Sequence, residues 1–485
     1  MAAKTFYITT PIYYVNDKPH IGHAYTTIAA DILARWHRLL GEDVFFLTGT
    51  DEHGEKIAKA AAEAGKSPKE FTDGVVVTFI DLWKALGISN DNFIRTTEKR
   101  HEKAAAKFVE KMKDNGDIYK GQYEGWYCVP DETFFTKLQL KDGRCPVCGR
   151  EVKLIKEESY FFRLSKYKDK LLKLYDQNPT FLSPEFRSKE ILNRVKEGLN
   201  DLSVSRLGLS WGIPFPGDEK HTIYVWVDAL INYLSALNWP GAKFKKYWPA
   251  QIHVVGKEIN WFHSVIWPAM LMSTGIEPPQ KVFAHGWWTI EGKKMSKSLG
   301  NAVNPCDITG KYGVDAFRYA LIRQMPFGED GDFSEKEMIN RINGELVDDL
   351  GNLVNRVMTL AERFEGEFKG KKELEERLNL DSIKNKMDKA DLFGALEDIW
   401  SFIRNSNKYI NENEVWALKG KGLENALYNL LESIRLISIL LSPFMPDTAE
   451  RISSQLGVPL GKLEDCKFMA IKERPHKSAL LFKKL

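Results

Sequence analysis

Between Tyr25 and Leu40 the apolar side chains fall at Tyr25, Ile28, Ala29, Ile32, Leu33, Trp36, Leu39 and Leu40. This i, i+3, i+4, i+7 spacing predicts an amphipathic helix, and Gly41 fits its C-terminal stop. Ahead of it, Thr5 to Thr10 reads as a strand, with a polar turn through Asn16-Asp17-Lys18-Pro19 in between. Behind it, Val44 to Leu47 is apolar on both faces, as a central parallel strand requires. Ser67-Pro68-Lys69-Glu70 sets an N-cap, a first-turn proline and a capping-box glutamate in register for another helix. Phe93 to Thr97 predicts a third strand and Glu98 to Asn115 the helix after it. Strand–helix alternation of this kind implies a parallel α/β sheet.

The alternation breaks near Ile118. From there to about Phe215 lie a cysteine cluster, the aromatic run Tyr160-Phe161-Phe162 and mixed elements, which together read as an insertion. The α/β pattern returns with strands expected at Thr222 to Val227, Gln251 to Val255 and around Val282-Phe283-Ala284. Beyond Pro326 strand signals nearly vanish. Helical patterns run from Glu335 to the end, interrupted by the charged, glycine-containing stretch Gly366 to Lys389, and predict a separate all-α domain.

At 485 residues the chain has room for two to four domains. A net charge of +3 excludes any inference of nucleic-acid binding from overall charge, although a local basic stripe remains compatible with it. Met1 to Thr5 runs directly into a strand without a secretory leader. The apolar stretch Leu430 to Met445 contains Glu432, Arg435 and Pro443, which predicts a buried helix rather than a membrane span. Five unevenly clustered cysteines argue against a disulfide framework and for a reducing, cytoplasmic compartment with one metal site.

Two short motifs carry the chemistry. Pro19-His20-Ile21-Gly22-His23 sits where a strand's carboxyl end turns into a helix, the position at which open α/β sheets bind ligands and helix N-termini favour phosphate oxygens. Gly22 allows close approach of a base or phosphate, and His20 and His23 can donate to charge developing at an α-phosphate. Lys294-Met295-Ser296-Lys297-Ser298, between Gly292 and Gly300, has the composition of a flexible loop whose two lysines can neutralise a leaving pyrophosphate. Each motif alone also fits a bland reading, a helix start or a solvated loop. Their pairing in this order favours one nucleotide-activating site.

In this pairing the chain resembles the class I aminoacyl-tRNA synthetases. The segments between them are similar to the methionyl-tRNA synthetase family: Tyr13-Tyr14, Gly49-Thr50-Asp51-Glu52-His53-Gly54, Tyr224-Val225-Trp226-Val227-Asp228-Ala229, Gly256-Lys257-Glu258 leading to Phe262-His263 and Trp267, and Ala284-His285-Gly286-Trp287. The likeness covers nearly the whole chain. It implies a Rossmann-like parallel sheet with an inserted connective-peptide domain, followed by an all-α anticodon-binding helix bundle. The corresponding divisions are residues 1–117 and 216–290 for the two halves of the catalytic domain and 118–215 for the insertion. Residues 291–345 are the lysine loop and stem-contact region, and 346–485 the helical domain.

The resemblance also implies the reaction: methionine and ATP give methionyl-adenylate and pyrophosphate, and the methionyl group then passes to the terminal adenosine of tRNA(Met). Ile12, Tyr14, Asp51, Trp226, Ala229, Tyr233, Phe262, His263 and Trp267 are the expected methionine-binding residues. The nucleotide is expected at His20, Gly22, His23, Glu258, His285, Gly286, Lys294 and Lys297, with Mg2+ on its phosphates. His20, His23, Lys294 and Lys297 carry the catalytic expectation. Asn352 and Arg356, four apart on one helix face, and Trp416 match the family's anticodon readers.

Cys145-Pro146-Val147-Cys148 has metal-knuckle spacing, but its partner segment is Cys128-Val129-Pro130-Asp131, with aspartate where a cysteine or histidine would complete the family's pattern. Two readings stand: a structural Zn2+ held by Cys128, Asp131, Cys145 and Cys148, or a metal-free loop. The helical pattern closes near Leu485 without a further oligonucleotide-binding fold, which predicts a monomer. Valine, isoleucine and leucine enzymes usually carry a larger editing insertion than the segment here provides. The remaining rival is an RNA-binding or zinc-dependent interaction protein that keeps the synthetase scaffold without activity.

Overall fold

Six parallel strands form the central sheet, in the spatial order Asn92–Arg95, Asp43–Asp51, Thr5–Tyr14, Ile252–Gly256, Val282–His285 and Leu182–Ser183. The computed structural model describes residues 4–131, 133–135, 137–290, 292–294, 303–469 and 473–485. Thr5–Tyr14 and Asp43–Asp51 are nearly buried throughout, as strands covered on both faces must be. Their ladder slips between Thr9 and Ile12, around Pro11, which has no N–H to give to the ladder. At Gly49 a Cβ would lie 2.1 Å from the Ile94 carbonyl oxygen, so only glycine lets the Asn92–Arg95 strand approach.

The amphipathic pattern behind the first strand becomes the helix Ile21–Leu39, with Ala24, Ile28 and Ile32 fully buried. Ser67 caps the helix Pro68–Ala85 as its sequence predicts: its Oγ accepts from the Glu70 N–H at 3.3 Å, and Glu70 Oε2 accepts from the Ser67 N–H at 3.0 Å.

Two elements depart from the pattern reading. Thr222 to Val227 is not a strand of the parallel sheet. The strand is Asp218–Ile223, antiparallel to Ser205–Leu207, and Val225–Leu230 is helical. A short run of buried apolar residues reads alike as a strand or as a helix enclosed on all sides. The segment 118–215 forms an antiparallel sheet ordered Thr133–Phe135, Ile118–Cys128, Lys153–Phe162 and Leu202–Ser203, yet its Leu182–Ser183 strand pairs with Val282–Phe283 at the edge of the central sheet.

The helical region follows from Glu335. Its helix Gly420–Leu441 is buried from Ala426 to Leu441, where Arg435 and Glu432 pair at 2.8 Å. Among the described residues no helix is long and apolar enough to cross a membrane.

The helix Val314–Arg323 joins the two halves of the molecule through Arg318, which is fully buried. Its guanidinium donates to Asp31 Oδ2 at 2.7 Å, to the Leu86 carbonyl at 3.2 Å, and to the Pro443 and Phe444 carbonyls, both at 3.0 Å. Asp31, on the Ile21–Leu39 helix, also accepts from Arg35 Nε at 2.8 Å and from the Ser89 N–H and hydroxyl. Burial alone would raise the Asp31 carboxyl; the Arg318 and Arg35 charges and Ser89 outweigh it and hold the group below the usual range. Removing one partner strands the other charge in the interior, which costs about 3–5 kcal/mol. Asp31→Ala should therefore lower the thermal midpoint by that equivalent in scanning calorimetry; a loss below about 1 kcal/mol, the size of a surface pair, would show that the contact is dispensable.

Candidate active site

Four parallel strands end side by side in Tyr14, Asp51, Gly256 and His285, and all four residues line one cavity of about 330 Å³. The cavity lies at the sheet's carboxyl edge, where the chain turns one way from Thr5–Tyr14 into the Ile21–Leu39 helix and the other way to Ile252–Gly256. Strand order reverses there, opening the crevice that open α/β sheets use for ligands.

The first motif is built into the helix start. His20 is the N-cap: its Nδ1 accepts from the Gly22 N–H at 3.1 Å, and His23 Nδ1 accepts from the His20 N–H at 3.1 Å. This is a capping box made from two imidazoles. An Nδ1 that accepts must lack a proton, so both neutral rings carry it on Nε2 as a donor. The rings lie 3.9 Å apart, and both line the cavity. Val303 returns to the same point: its carbonyl accepts from the Ile21 N–H at 3.2 Å. On the other side, Lys293–Lys294 pairs with Thr289 and Ile290. Residues 295–302, including Lys297, lie outside the described residues, as does the side chain of Lys294. The downstream flank of the lysine motif is thus tied to the first motif, and the upstream flank to the Trp288–Ile290 strand.

The opposite end of the cavity is aromatic. His263 sits in a wide, π-type helical turn, Phe262–Ile266, a form that often marks functional positions. Its Nδ1 donates to the Ile259 carbonyl at 3.0 Å, leaving Nε2 to accept from the Tyr233 hydroxyl at 2.7 Å. Burial pushes the imidazole down to about 4, against a smaller upward pull from the Ile259 carbonyl, so the ring is neutral. Trp226 stacks on Phe262 at 4.1 Å and 12°. Trp226, Glu258 and Ile259 also line a second cavity of about 530 Å³ on the inserted sheet's side, so this stack stands at the boundary of the two.

A buried charge network fixes the wall between these ends. Asp228 Oδ2 holds His53 Nδ1 at 2.7 Å and Asp228 Oδ1 holds His101 Nε2 at 2.6 Å. Burial would raise the Asp228 carboxyl; His53 and His101 bring it down to about 2, and the same contact raises His53 against its own burial. The His53 carbonyl in turn accepts from the Tyr14 hydroxyl at 2.9 Å, which aims that ring over the cavity. Beside Gly256 and Gly286, Trp287 Nε1 donates to Glu258 Oε2 at 2.6 Å, and His285 Nδ1 donates to the Gly286 carbonyl at 2.7 Å. A Cβ on Gly286 would lie 2.1 Å from the Glu329 carbonyl oxygen, so no larger residue fits.

Of the residues singled out from sequence, Ile12, Tyr14, His20, Gly22, His23, Asp51, Trp226, Ala229, Tyr233, Glu258, His263, His285 and Gly286 line the cavity. Phe262 and Trp267 do not. Phe262 backs Trp226 from the second cavity, and Trp267 lies fully buried behind Tyr233 at 6.0 Å. Pro11, Tyr13, Tyr25, Thr26, Leu230, Asn232, Gly256, Ile259, Trp287 and Trp288, none of them assigned to the site from sequence, also line it. Helical spacing could have found Thr26, one turn beyond Gly22, and Asn232, three beyond Ala229.

In the insertion, Cys128, Asp131, Cys145 and Cys148 bring four ligand atoms within 4.8 Å of one another. Asp131 Oδ2 lies 3.2 Å from Cys128 Sγ and 3.0 Å from Cys145 Sγ, and Cys128 and Cys148 sulfurs are 3.5 Å apart. Three thiols and one carboxylate at tetrahedral-edge spacings fit a structural metal ion. In the helical region, Arg356 Nη2 donates to Asn411 Oδ1 at 3.0 Å and its guanidinium lies 5.8 Å from the Trp416 ring, which is 56% exposed; Asn352 is exposed on the same helix.

The neutral His263 has a stability consequence. Its pKa is lower folded than unfolded, so from about pH 6.5 down to about 4 the unfolded chain takes up a proton that the native site refuses. Stability should fall across that window by roughly 3 kcal/mol from this group. His263→Gln should flatten the acid limb of the thermal midpoint against pH; an unchanged limb would mean that the ring is already protonated in the fold.

Residues 6–154 and 137–358 match the family model of tRNA synthetases class I (M), and residues 373–479 match the anticodon-binding domain of tRNA ligase. The methionine–tRNA ligase of Caldanaerobacter subterraneus is 52% identical across 99% of this chain and 79% of its own, and that of Thermotoga maritima 51% identical across 92% and 74%. The structure of Mycobacterium tuberculosis methionyl-tRNA synthetase in complex with methionyl-adenylate superposes with a TM-score of 0.95 at 39% identity, covering 99% of each chain. A strand-edge cavity that opens on a histidine-capped helix at one end and a neutral aromatic pocket at the other is thus found in a chain that belongs to the class I methionyl-tRNA synthetases.

Proposed function

We propose that the cavity activates methionine with ATP and that the helical region reads the tRNA that receives it. The protein is a methionine–tRNA ligase: it joins the methionine carboxylate to the α-phosphate, releases pyrophosphate, and passes the methionyl group to the 3′-terminal adenosine of tRNA(Met). The observation that carries our assignment of the site is the closed hydrogen-bond chain Tyr233–His263–Ile259 at its aromatic end. In that chain the Tyr233 O–H and both His263 ring nitrogens are already used, so a side chain entering there meets polarisable rings and no unused donor from this pair. A thioether gains about 0.3–1.5 kcal/mol from such rings. A hydroxyl, amide or carboxylate would lose about 1–3 kcal/mol for an unmade hydrogen bond.

In this reading Asp51, with Tyr14 above it, receives the methionine ammonium, and Ile12, Trp226, Ala229, Tyr233 and His263 enclose the side chain. The adenosine lies toward Glu258, His285 and Gly286. Attack of the carboxylate on the α-phosphate crowds charge onto its oxygens, where His20 and His23 present Nε2–H donors and Gly22 leaves room. Lys294 and Lys297 would neutralise the departing pyrophosphate, with Mg2+ supplied on the substrate. No covalent enzyme intermediate is needed, so positioning and charge stabilisation do the work. The cysteine–aspartate cluster would hold Zn2+ as a brace for the inserted sheet. Five cysteines without a disulfide are consistent with a reducing, cytoplasmic setting.

Amino-acid-dependent ATP–pyrophosphate exchange tests the assignment. Methionine should support exchange far better than leucine, isoleucine or valine; exchange with one of those instead would move the enzyme to another specificity, and none would indicate a silent scaffold. Lys297→Ala should slow exchange by about 10²–10³ with tRNA affinity retained, whereas equal loss of both would remove the lysine from the phosphates. Trp416→Ala should leave exchange intact and lower kcat/KM for tRNA charging by about 5- to 150-fold, the value of one base–aromatic stack. Unchanged charging would take Trp416 out of the anticodon contact.

A further inference from the structure

Glu158, Asp218 and His221 meet where the inserted antiparallel sheet touches the strand Asp218–Ile223, and none of them lines either cavity. Their ligand atoms lie within 4.8 Å of one another. His221 is fully buried, and its Nε2 makes no hydrogen bond. That nitrogen faces Glu158 Oε1 at 3.6 Å and Asp218 Oδ2 at 3.9 Å, too far for a hydrogen bond to either. A buried, unsatisfied ring nitrogen in a native fold calls for an explanation.

The rest of the cluster holds these atoms in place. His221 Nδ1 contacts Ser205 Oγ at 3.1 Å, the kind of outer contact that fixes a ligating imidazole with its Nε2 lone pair forward. Tyr160 donates its hydroxyl to Asp218 Oδ2 at 3.0 Å and sets its ring edge against His221 at 5.2 Å. Asp218 is kept below the usual carboxylate range first by that hydroxyl, and Glu158 first by Lys120, so both are anionic at neutral pH. Lys120 Nζ sits at 2.6 Å from Glu158 Oε1 and 3.2 Å from Asp218 Oδ2, the same two oxygens that His221 faces. The cluster therefore attracts cations at that point, yet the ammonium donates to the two carboxylates and makes no hydrogen bond to the buried imidazole.

We propose that Glu158, Asp218 and His221 form a second metal site, distinct from the cysteine cluster, which binds a divalent ion of the zinc class in exchange for the Lys120 ammonium. Bonds of about 2.1 Å give a tetrahedron whose edge is about 3.4 Å, within a few tenths of an ångström of the two distances from His221. One nitrogen and two carboxylate oxygens suit such an ion, and the exposed side of the cluster leaves the fourth position to water. The ion would tie the strand running into Tyr224 and Trp226 to the inserted sheet, and so hold the sheet in place beside the amino-acid pocket.

Titration of the full-length protein with Co2+ separates the two sites. Cobalt on the cysteine cluster gives intense thiolate-to-metal charge-transfer bands, whereas cobalt on nitrogen and oxygen gives only weak ligand-field bands. We expect an equivalent of the second kind that persists in Cys145→Ser, weakens at least about tenfold in His221→Ala and in the more exposed Asp218→Asn, and tightens in Lys120→Met. Its binding should also raise the thermal midpoint of Cys145→Ser but not that of Cys145→Ser/Asp218→Asn. If His221→Ala does not fold, Asp218→Asn decides alone. Absence of a thiolate-free equivalent in the native chain, or one indifferent to these substitutions, overturns the proposal and leaves the cluster as a lysine–carboxylate network.

Discussion

The buried pair between Asp31 and Arg318 is the contact on which the two halves of this molecule depend. Asp31 lies on the helix that His20 caps and whose first turn carries His23, and Arg318 reaches it from the helix Val314–Arg323 ahead of the bundle. The same guanidinium ties down the Pro443 and Phe444 carbonyls, where the long Gly420–Leu441 helix gives way to the next. An ion pair in the interior is tolerated only when its remaining hydrogen-bonding capacity is met. Here the partners that meet it come from the catalytic sheet's helices on one side and the bundle on the other. Any shift of one half against the other would have to break charge-assisted bonds in a dry environment, so the pair holds the Ile21–Leu39 helix against the bundle.

The cavity follows a similar logic on a smaller scale: polar groups are useful here because most of their capacity is already committed. The two histidines of the first motif cap their own helix through Nδ1, which sets the proton of each neutral ring on Nε2. His263 and Tyr233 bond each other at the far end, which keeps that end of the cavity uncharged. Asp228 is shared by His53 and His101 and, through the His53 carbonyl, sets the ring of Tyr14. Tautomer, orientation and pocket polarity thus come from contacts to the protein itself, before any substrate arrives.

Much of this was legible along the chain. The helix at Ile21–Leu39, the capping box at Ser67 and the parallel strands at residues 43–51, 92–95, 252–256 and 282–285 each have a local cause: periodicity, cap chemistry or a doubly buried apolar run. The run Tyr224 to Val227 did not, because a short apolar segment enclosed on all sides carries no period that separates strand from helix. The aromatic residues near the motifs were equally ambiguous. Tyr233 and Trp226 line the cavity, while Trp267 and Phe262, of similar type and spacing, pack behind them.

The sequence alone determined which chemical groups are present and which local elements carry them, because helix caps, strand burial and motif order act over a few residues. Only the tertiary structure decided which of those groups meet. Asp228 finds His53 and His101, Val303 returns to Ile21, and Arg318 finds Asp31 across hundreds of residues of chain. Such pairings are set by how sheet and helices pack in three dimensions, and no spacing along the chain encodes them.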